Sequence, residues 1–87
     1  MIYTIIIRET VKKELKEIPD ADLKKIKKII ISLGENPFPH GCLKLEGFDS
    51  KLYRIRKGDY RIIYSVEHQI ITVTILKIAH RKDVYRN

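Results

Sequence analysis

The feature that most constrains the fold is the run KLYRIRKGDYRIIY, residues 51–64. Two stretches that mix apolar and basic residues flank the pair Gly58-Asp59. Such a pair suits a two-residue hairpin loop, because glycine adopts the positive φ that a tight turn requires. Neighbouring side chains of a strand face opposite sides of the sheet. The run therefore predicts an antiparallel hairpin with one apolar face and one basic face.

Pairing across that loop sorts the side chains of the hairpin into two sets. Lys57 should lie opposite Tyr60, and Arg56 opposite Arg61. The apolar set comprises Tyr53, Ile55, Ile62 and Tyr64, and the basic set comprises Arg54, Arg56 and Arg61. We expect the apolar set to pack against the core and the basic set to form an arginine face on the other side.

An arginine face of this kind is electrostatically unfavourable without an anion, because like charges opposite each other destabilise a strand pair. The planar guanidinium group contacts phosphate oxygens in pairs, so phosphate is a suitable anion. The alternative is a solvated face covered by acids such as Glu46, Asp49 or Glu67. A net charge of +7, from 18 basic and 11 acidic residues, favours nucleic acid as the partner. An acidic protein or an anionic membrane surface would also fit the charge.

The segment before the hairpin predicts one strand and two helices. Residues 2–8 are rich in β-branched types and form the strand. Thr10 is a plausible N-cap for a short first helix that Pro19 closes, and Asp20 can cap the second helix. The second helix should stop near Gly34, a residue type common just after helix ends.

The rest of the chain predicts a loop followed by three strands. The loop covers residues 35–50, and the strands cover roughly 51–57, 60–66 and 70–78. The order β-α-α-β-β-β predicts a small α+β protein, a single domain over 1–87. Its helical hairpin should pack on one face of an antiparallel sheet.

Several classes of site are not expected. The one cysteine, Cys42, excludes an intrachain disulfide and suits a reducing cytoplasm. Cys42 and His40 are too few to hold a metal, and no phosphate-binding GxxxxGK[ST] loop is present. The apolar start MIYTIII is too short to span a bilayer. We therefore expect no metal, no cofactor and no membrane partner.

The residues that remain can cut RNA. The 2′-OH of RNA is itself the nucleophile, so an enzyme must hold the phosphate in line, neutralise the transition-state charge and move two protons. Arginine suits the first two tasks but is a weak base because it stays protonated. After the last strand come a fourth arginine, Arg81, and Tyr85, and His80 precedes them as a possible proton carrier.

Three stretches of the chain together resemble the RelE/ParE superfamily of type II toxins. They are LKLEG (43–47), LYRIRKGDYRIIY (52–64) and IAHRKDVY (78–85), and the helical hairpin before them also matches. Within the superfamily, the chain looks most like the RelE branch of mRNA interferases. The resemblance implies a βααβββ toxin that enters the ribosomal A site and cuts mRNA without metal, leaving a cyclic phosphate and a 5′-OH.

The resemblance also implies a set of catalytic residues and partners. The matching residues are Arg54, Arg56, Arg61, Arg81 and Tyr85. The first three would position the phosphate and stabilise the transition state. Arg81 would stabilise charge or assist departure of the leaving group, and Tyr85 would orient the mRNA. The implied partners are a RelB-like antitoxin, the ribosome and mRNA, with operator DNA for the toxin–antitoxin complex. The assignment of general base and acid stays open.

Two other functions stay open at this point. One is a ParE-like inhibitor of DNA gyrase without nuclease activity, since that branch shares the fold and much of the pattern of tyrosines and arginines. The other is a nucleic-acid-binding module without catalysis. The pairing of Arg81 with Tyr85 favours the nuclease, because the gyrase inhibitors typically lack the full set of basic residues.

Overall fold

The computed structural model of the protein describes residues 2–45 and 51–81. Within these residues, two helices and five strands follow one another along the chain. They are β1 (Thr4–Ile7), α1 (Glu9–Lys16), α2 (Asp20–Glu35), β2 (Leu43–Lys44), β3 (Leu52–Lys57), β4 (Tyr60–Glu67) and β5 (Thr72–His80). The predicted α+β class and order of the main elements are confirmed.

The strands form one sheet in the order β1-β5-β4-β3-β2. The prediction of an antiparallel sheet is wrong for β1, which runs parallel to β5 with Thr4 beside Thr72. Alternation in a strand shows which side chains share a face but not the direction of the neighbouring strand. Parallel neighbours need a long crossover, and the helices and the hairpin between β1 and β5 provide it. β2 was also not predicted, because two residues are too short to show alternation.

The central hairpin has the predicted register. Lys57 pairs with Tyr60 and Arg56 with Arg61, and Gly58 in the loop has a φ of 58°. β3 and β4 begin and end within one residue of the predicted bounds. The two faces of the hairpin are therefore those that the alternation predicted.

The core lies between the helices and one face of the sheet. Both helices contact β5, and α2 also contacts β1. The buried cluster consists of Val11, Ile18, Ile26, Ile30, Leu33, Ile62, Tyr64, Val66, Val73, Ile75 and Ile78. Tyr53 and Ile55 pack against it from β3. The apolar set of the hairpin thus covers the core, as expected.

The helix ends differ from the prediction by one or two residues. Arg8, not Thr10, is the N-cap of α1, and its carbonyl accepts the N–H of Val11 at 3.0 Å. β1 ends at Ile7, so the chain turns directly into α1 and Thr10 falls in its first turn. Pro19, not Asp20, is the N-cap of α2.

Gly34 does not terminate α2, which continues to Glu35. Its carbonyl accepts the N–H of Tyr3 at 2.6 Å, so the helix backbone lies directly against the start of the sheet. A Cβ on Gly34 would stand 3.1 Å from the Tyr3 carbonyl oxygen. Glycine is therefore required for this close approach rather than for a helix stop.

β5 starts and ends two residues later than predicted. A four-residue loop, residues 68–71, joins it to β4, and Ile71 takes a positive φ of 49°. The pairing of β4 with β5 shifts by one residue within the strands. Tyr64 pairs with Ile75, but its neighbour Ile63 pairs with Lys77, so Leu76 is an extra residue on β5. The extra residue between them brings Ile78 opposite the core residue Ile62, and Ala79 opposite Arg61.

A carboxylate on α1 completes the hydrogen bonding of β5 beyond this shift. β1 pairs with β5 only as far as Ile75. Further along, the N–H of Ile78 donates to Glu14 Oε1 at 3.1 Å, and Lys77 Nζ donates to Glu14 Oε2 at 3.0 Å. Glu14 therefore takes the place of a strand at this edge.

None of the helices in the described part of the chain is long and apolar enough to cross a membrane.

Candidate anion-binding site

Arg54, Arg56 and Arg61 share the sheet face opposite the helices. Arg56 pairs directly with Arg61, and Arg54 lies two residues before Arg56 on β3. Arg54 Nε is buried and has no hydrogen-bond partner among the described residues. Burial lowers the pKa of the Arg54 guanidinium, and the charges of Arg61 and Arg56 lower it further. Because the group still stays protonated at neutral pH, this face holds a cation that an anion would stabilise.

A cavity of about 320 Å³, which we call the arginine cavity, opens at the hairpin end of the arginine face. Its lining residues are Arg56, Gly58, Asp59, Arg61 and Arg81. Three of the four predicted arginines thus meet around one space, and polar groups provide most of its surface. Arg54 does not line this cavity, but its charge is close enough to act on the same face.

Arg81 reaches the cavity because β5 ends beside the hairpin loop. The N–H of Arg81 donates to the carbonyl oxygen of Asp59. The Arg81 Nη1 atom lies 3.8 Å from Asp59 Oδ1, and 68% and 61% of the two side chains are exposed. The loop therefore contacts Arg81 through both its backbone and its carboxylate.

His80 lies outside the arginine cavity. It pairs with Tyr60, which pairs in turn with Lys57, so these residues form the cross-strand row next to that of Arg56 and Arg61. Adjacent rows point to opposite faces of a sheet. The His80 and Tyr60 rings meet edge to face with their centroids 4.9 Å apart. His80, the possible proton carrier, therefore lies on the sheet face opposite the arginine face.

Three residues named from the sequence lie outside the described residues. They are Tyr85 and the possible covering acids Glu46 and Asp49. The third possible acid, Glu67, pairs with Thr72 at the far end of β4 and does not line the arginine cavity.

The sequence did not indicate that Asp59 lines the arginine cavity and contacts Arg81. Asp59 reads as a turn former, and its contact with Arg81 depends on where β5 ends. The available signal was its place between two strands whose ends both carry arginines.

A second and larger cavity, about 430 Å³, lies at the other end of the sheet. Among the described residues, its lining has one lysine, Lys51, and one acidic residue, Glu67, beside apolar Leu52 and Leu76. Charges of opposite sign leave it without the concentration of cations seen around Arg56. Among the described residues, no group of three or more His, Cys, Asp or Glu side chains could hold a metal ion.

Comparison with known families decides the relationship. Residues 5–85 match the family model described as the ParE toxin of the type II toxin–antitoxin system parDE. A RelE1 toxin of Methanocaldococcus jannaschii is 36% identical over 90 residues, covering 100% of this chain and 99% of the relative. The chain belongs to the RelE/ParE superfamily of type II toxins.

Other members of the superfamily agree with this assignment. Toxin RelG of Mycobacterium tuberculosis is 29% identical over 87 residues and covers 99% of both chains. A chain of the archaeal RelE–RelB complex from Pyrococcus horikoshii superposes with a TM-score of 0.83 and 36% identity, covering 93% of this chain and 97% of that chain. A chain of the RelB–RelE complex from Methanococcus jannaschii gives 0.76 and 30%, covering 92% and 94%. The likeness extends over nearly the whole toxin fold.

Proposed function

We propose that the protein is a RelE-type toxin that cuts mRNA in the ribosomal A site. The observation that carries this proposal is the arginine face, where Arg54 Nε is buried beside Arg56 and Arg61 and finds no partner in the part of the chain that the structure describes. A phosphodiester supplies the charge and the acceptor oxygens that such a face requires. The RelE names of the relatives support the same branch.

The proposed reaction uses the mRNA as its own nucleophile. The 2′-oxygen attacks the adjacent phosphorus and loses its proton, while the bond from phosphorus to the 5′-oxygen breaks and that oxygen gains a proton. The products are a 2′,3′-cyclic phosphate and a 5′-OH. Arg54, Arg56 and Arg61 hold the phosphate and balance the charge of the pentavalent transition state. Arg81 stabilises charge on the leaving oxygen, and Tyr85 orients the mRNA.

The proposal includes an antitoxin partner. RelB accompanies the similar toxin chains in the complexes from Pyrococcus horikoshii and Methanococcus jannaschii. A RelB-like antitoxin with acidic residues would cover the arginine face and block access of RNA to it, and the complex would bind operator DNA. Because the substrate is mRNA on the ribosome, the toxin would act in the cytoplasm.

The test is cleavage of a defined mRNA on ribosomes with an empty A site. The wild-type protein should cut in the A-site codon, and Arg61→Ala should cut about 100-fold more slowly, because one transition-state contact is lost. Arg8→Ala is the matched control, since Arg8 is exposed and caps α1 through its backbone alone. Equal cleavage by all three proteins would contradict the assignment of Arg61 to the site, and no cleavage by the wild type would contradict the proposed nuclease activity.

One observation favours a second candidate, inhibition of DNA gyrase: the matching family model carries the ParE name. The same preparations should therefore be assayed for gyrase supercoiling. Loss of supercoiling without mRNA cleavage would replace the first proposal with the second.

A further inference from the structure

Arg81 is held at the edge of the arginine cavity by a single residue, among those described. Its N–H donates to the carbonyl oxygen of Asp59, and its Nη1 atom lies 3.8 Å from the Asp59 carboxylate. Arg81 follows directly after β5, while Arg56 and Arg61 stand within paired strands. A long side chain in that position gains its orientation from the hairpin loop.

Among the described residues, the Asp59 carboxylate is also the one acidic group lining a cavity with three arginines. Both partners of the pair are more than half exposed, so the pair is weak and water competes with it. A phosphate can therefore take the place of the carboxylate on Arg81 at little cost. Before a phosphate binds, the Asp59 carboxylate keeps the Arg81 guanidinium near the position that the phosphate will occupy.

We propose that Asp59 is a positioning residue that orients Arg81 for phosphoryl chemistry and lowers the affinity of the free cavity for other anions. This inference rests on the proposed nuclease function and adds a residue to it. Preorganised donors stabilise a transition state without reorganising during the reaction. The carboxylate meanwhile competes with ground-state phosphate, so its removal should affect binding and turnover in opposite directions.

The decisive variant is Asp59→Asn. Asparagine suits the turn, and the carbonyl of residue 59 still accepts the Arg81 N–H, so the fold is retained. On programmed ribosomes we expect both kcat and KM to fall, kcat by about fivefold. Glu67→Gln is the matched control: it also removes one negative charge, from an exposed residue of β4 outside the cavity, and should leave kcat within about twofold.

A double-mutant cycle tests whether Asp59 acts through Arg81. Arg81→Ala should be slow, and adding Asp59→Asn to it should slow cleavage no further. Additive losses would overturn the inference, as would an equal fall in kcat for Glu67→Gln.

A measurement without cleavage separates this inference from the nuclease proposal. The ¹⁵N relaxation of the Arg81 Nε–H group reports how firmly the side chain is held. Its order parameter should fall in Asp59→Asn and stay unchanged in Glu67→Gln. Unchanged Arg81 mobility in Asp59→Asn would overturn the positioning role whether or not the wild-type protein cuts mRNA.

Discussion

Arg54 carries a charge that the fold compensates poorly. Its Nε atom is buried without a partner among the described residues, and two neighbouring arginines disfavour its charge. Arg54 is only partly buried, and replacing a poorly compensated, partly buried charge with an apolar side chain of similar length can stabilise a protein. The proposed role of Arg54 in binding phosphate therefore opposes stability.

Arg54→Met should raise the free energy of unfolding by about 1 kcal/mol in a buffer without phosphate or sulfate. Added inorganic phosphate should stabilise the wild-type protein more than the variant, because the anion binds the folded arginine face. Urea denaturation with and without phosphate measures both effects. Arg8→Met, outside the arginine face, should respond to phosphate like the wild type, and a less stable Arg54→Met would contradict the prediction.

Tyr64 links the core to the segment before β2. It is fully buried, and its hydroxyl donates to the carbonyl oxygen of Pro37 at 2.7 Å. Burial raises the pKa of the Tyr64 phenol far above its ordinary value, and the neighbouring Cys42 raises it further. The folded state therefore holds this proton more tightly than the unfolded state.

The raised pKa of Tyr64 predicts a loss of stability at alkaline pH. The unfolded phenol ionises first, so the stabilisation is fully present below about pH 10 and is lost as the pH rises above it. Tyr64→Phe should be about 1 kcal/mol less stable at neutral pH because the Pro37 carbonyl loses its donor. Urea denaturation across this pH range should give a shallower decline for Tyr64→Phe. Parallel declines in the two proteins would rule out the role of this phenol.

At the scale of elements, the edge of β5 depends on a carboxylate from a helix. Glu14→Ala leaves the N–H of Ile78, a residue only 5% exposed, without its acceptor. We expect the free energy of unfolding to fall by about 2 kcal/mol. Glu9→Ala is the control, because Glu9 forms an exposed pair with Lys12 and its replacement should lower the free energy of unfolding by less than about 0.5 kcal/mol. Denaturant unfolding compares the two, and equal losses would contradict the assigned role of Glu14.

The cross-strand residue pairs of the hairpin were predictable from the sequence, whereas the bounds and register of β5 were not. A two-residue loop leaves one register, so the faces of Arg56 and Arg61 follow from alternation. The sequence holds no comparable signal for the four-residue loop before β5 or for the extra residue Leu76, because several loop lengths satisfy the same apolar pattern. Consequently the arginine face was predicted, but the meeting of Arg81 with Asp59 was not.

At the scale of the whole molecule, the net charge of +7 matters through its distribution. Each arginine that contacts phosphate should contribute about 0.7 to the slope of log K against log salt for single-stranded RNA. Arg56→Gln and Arg61→Gln should each reduce that slope by about this amount. Lys13→Gln on α1 removes the same charge and should leave the slope unchanged. Titrations of a short RNA over a range of salt concentrations measure this, and equal slopes in all proteins would indicate nonspecific attraction.

The parallel pairing of β1 with β5 has a consequence for the timing of synthesis. Thr4 meets Thr72, so the sheet cannot close until the strand that immediately precedes Arg81 has been made. Contacts between distant parts of a chain form late and slowly, because a long loop must close first. A nascent chain therefore lacks the arginine cavity until β5 has been made. The capacity to bind an anion at this cavity should therefore arise only after β5 has emerged from the ribosome.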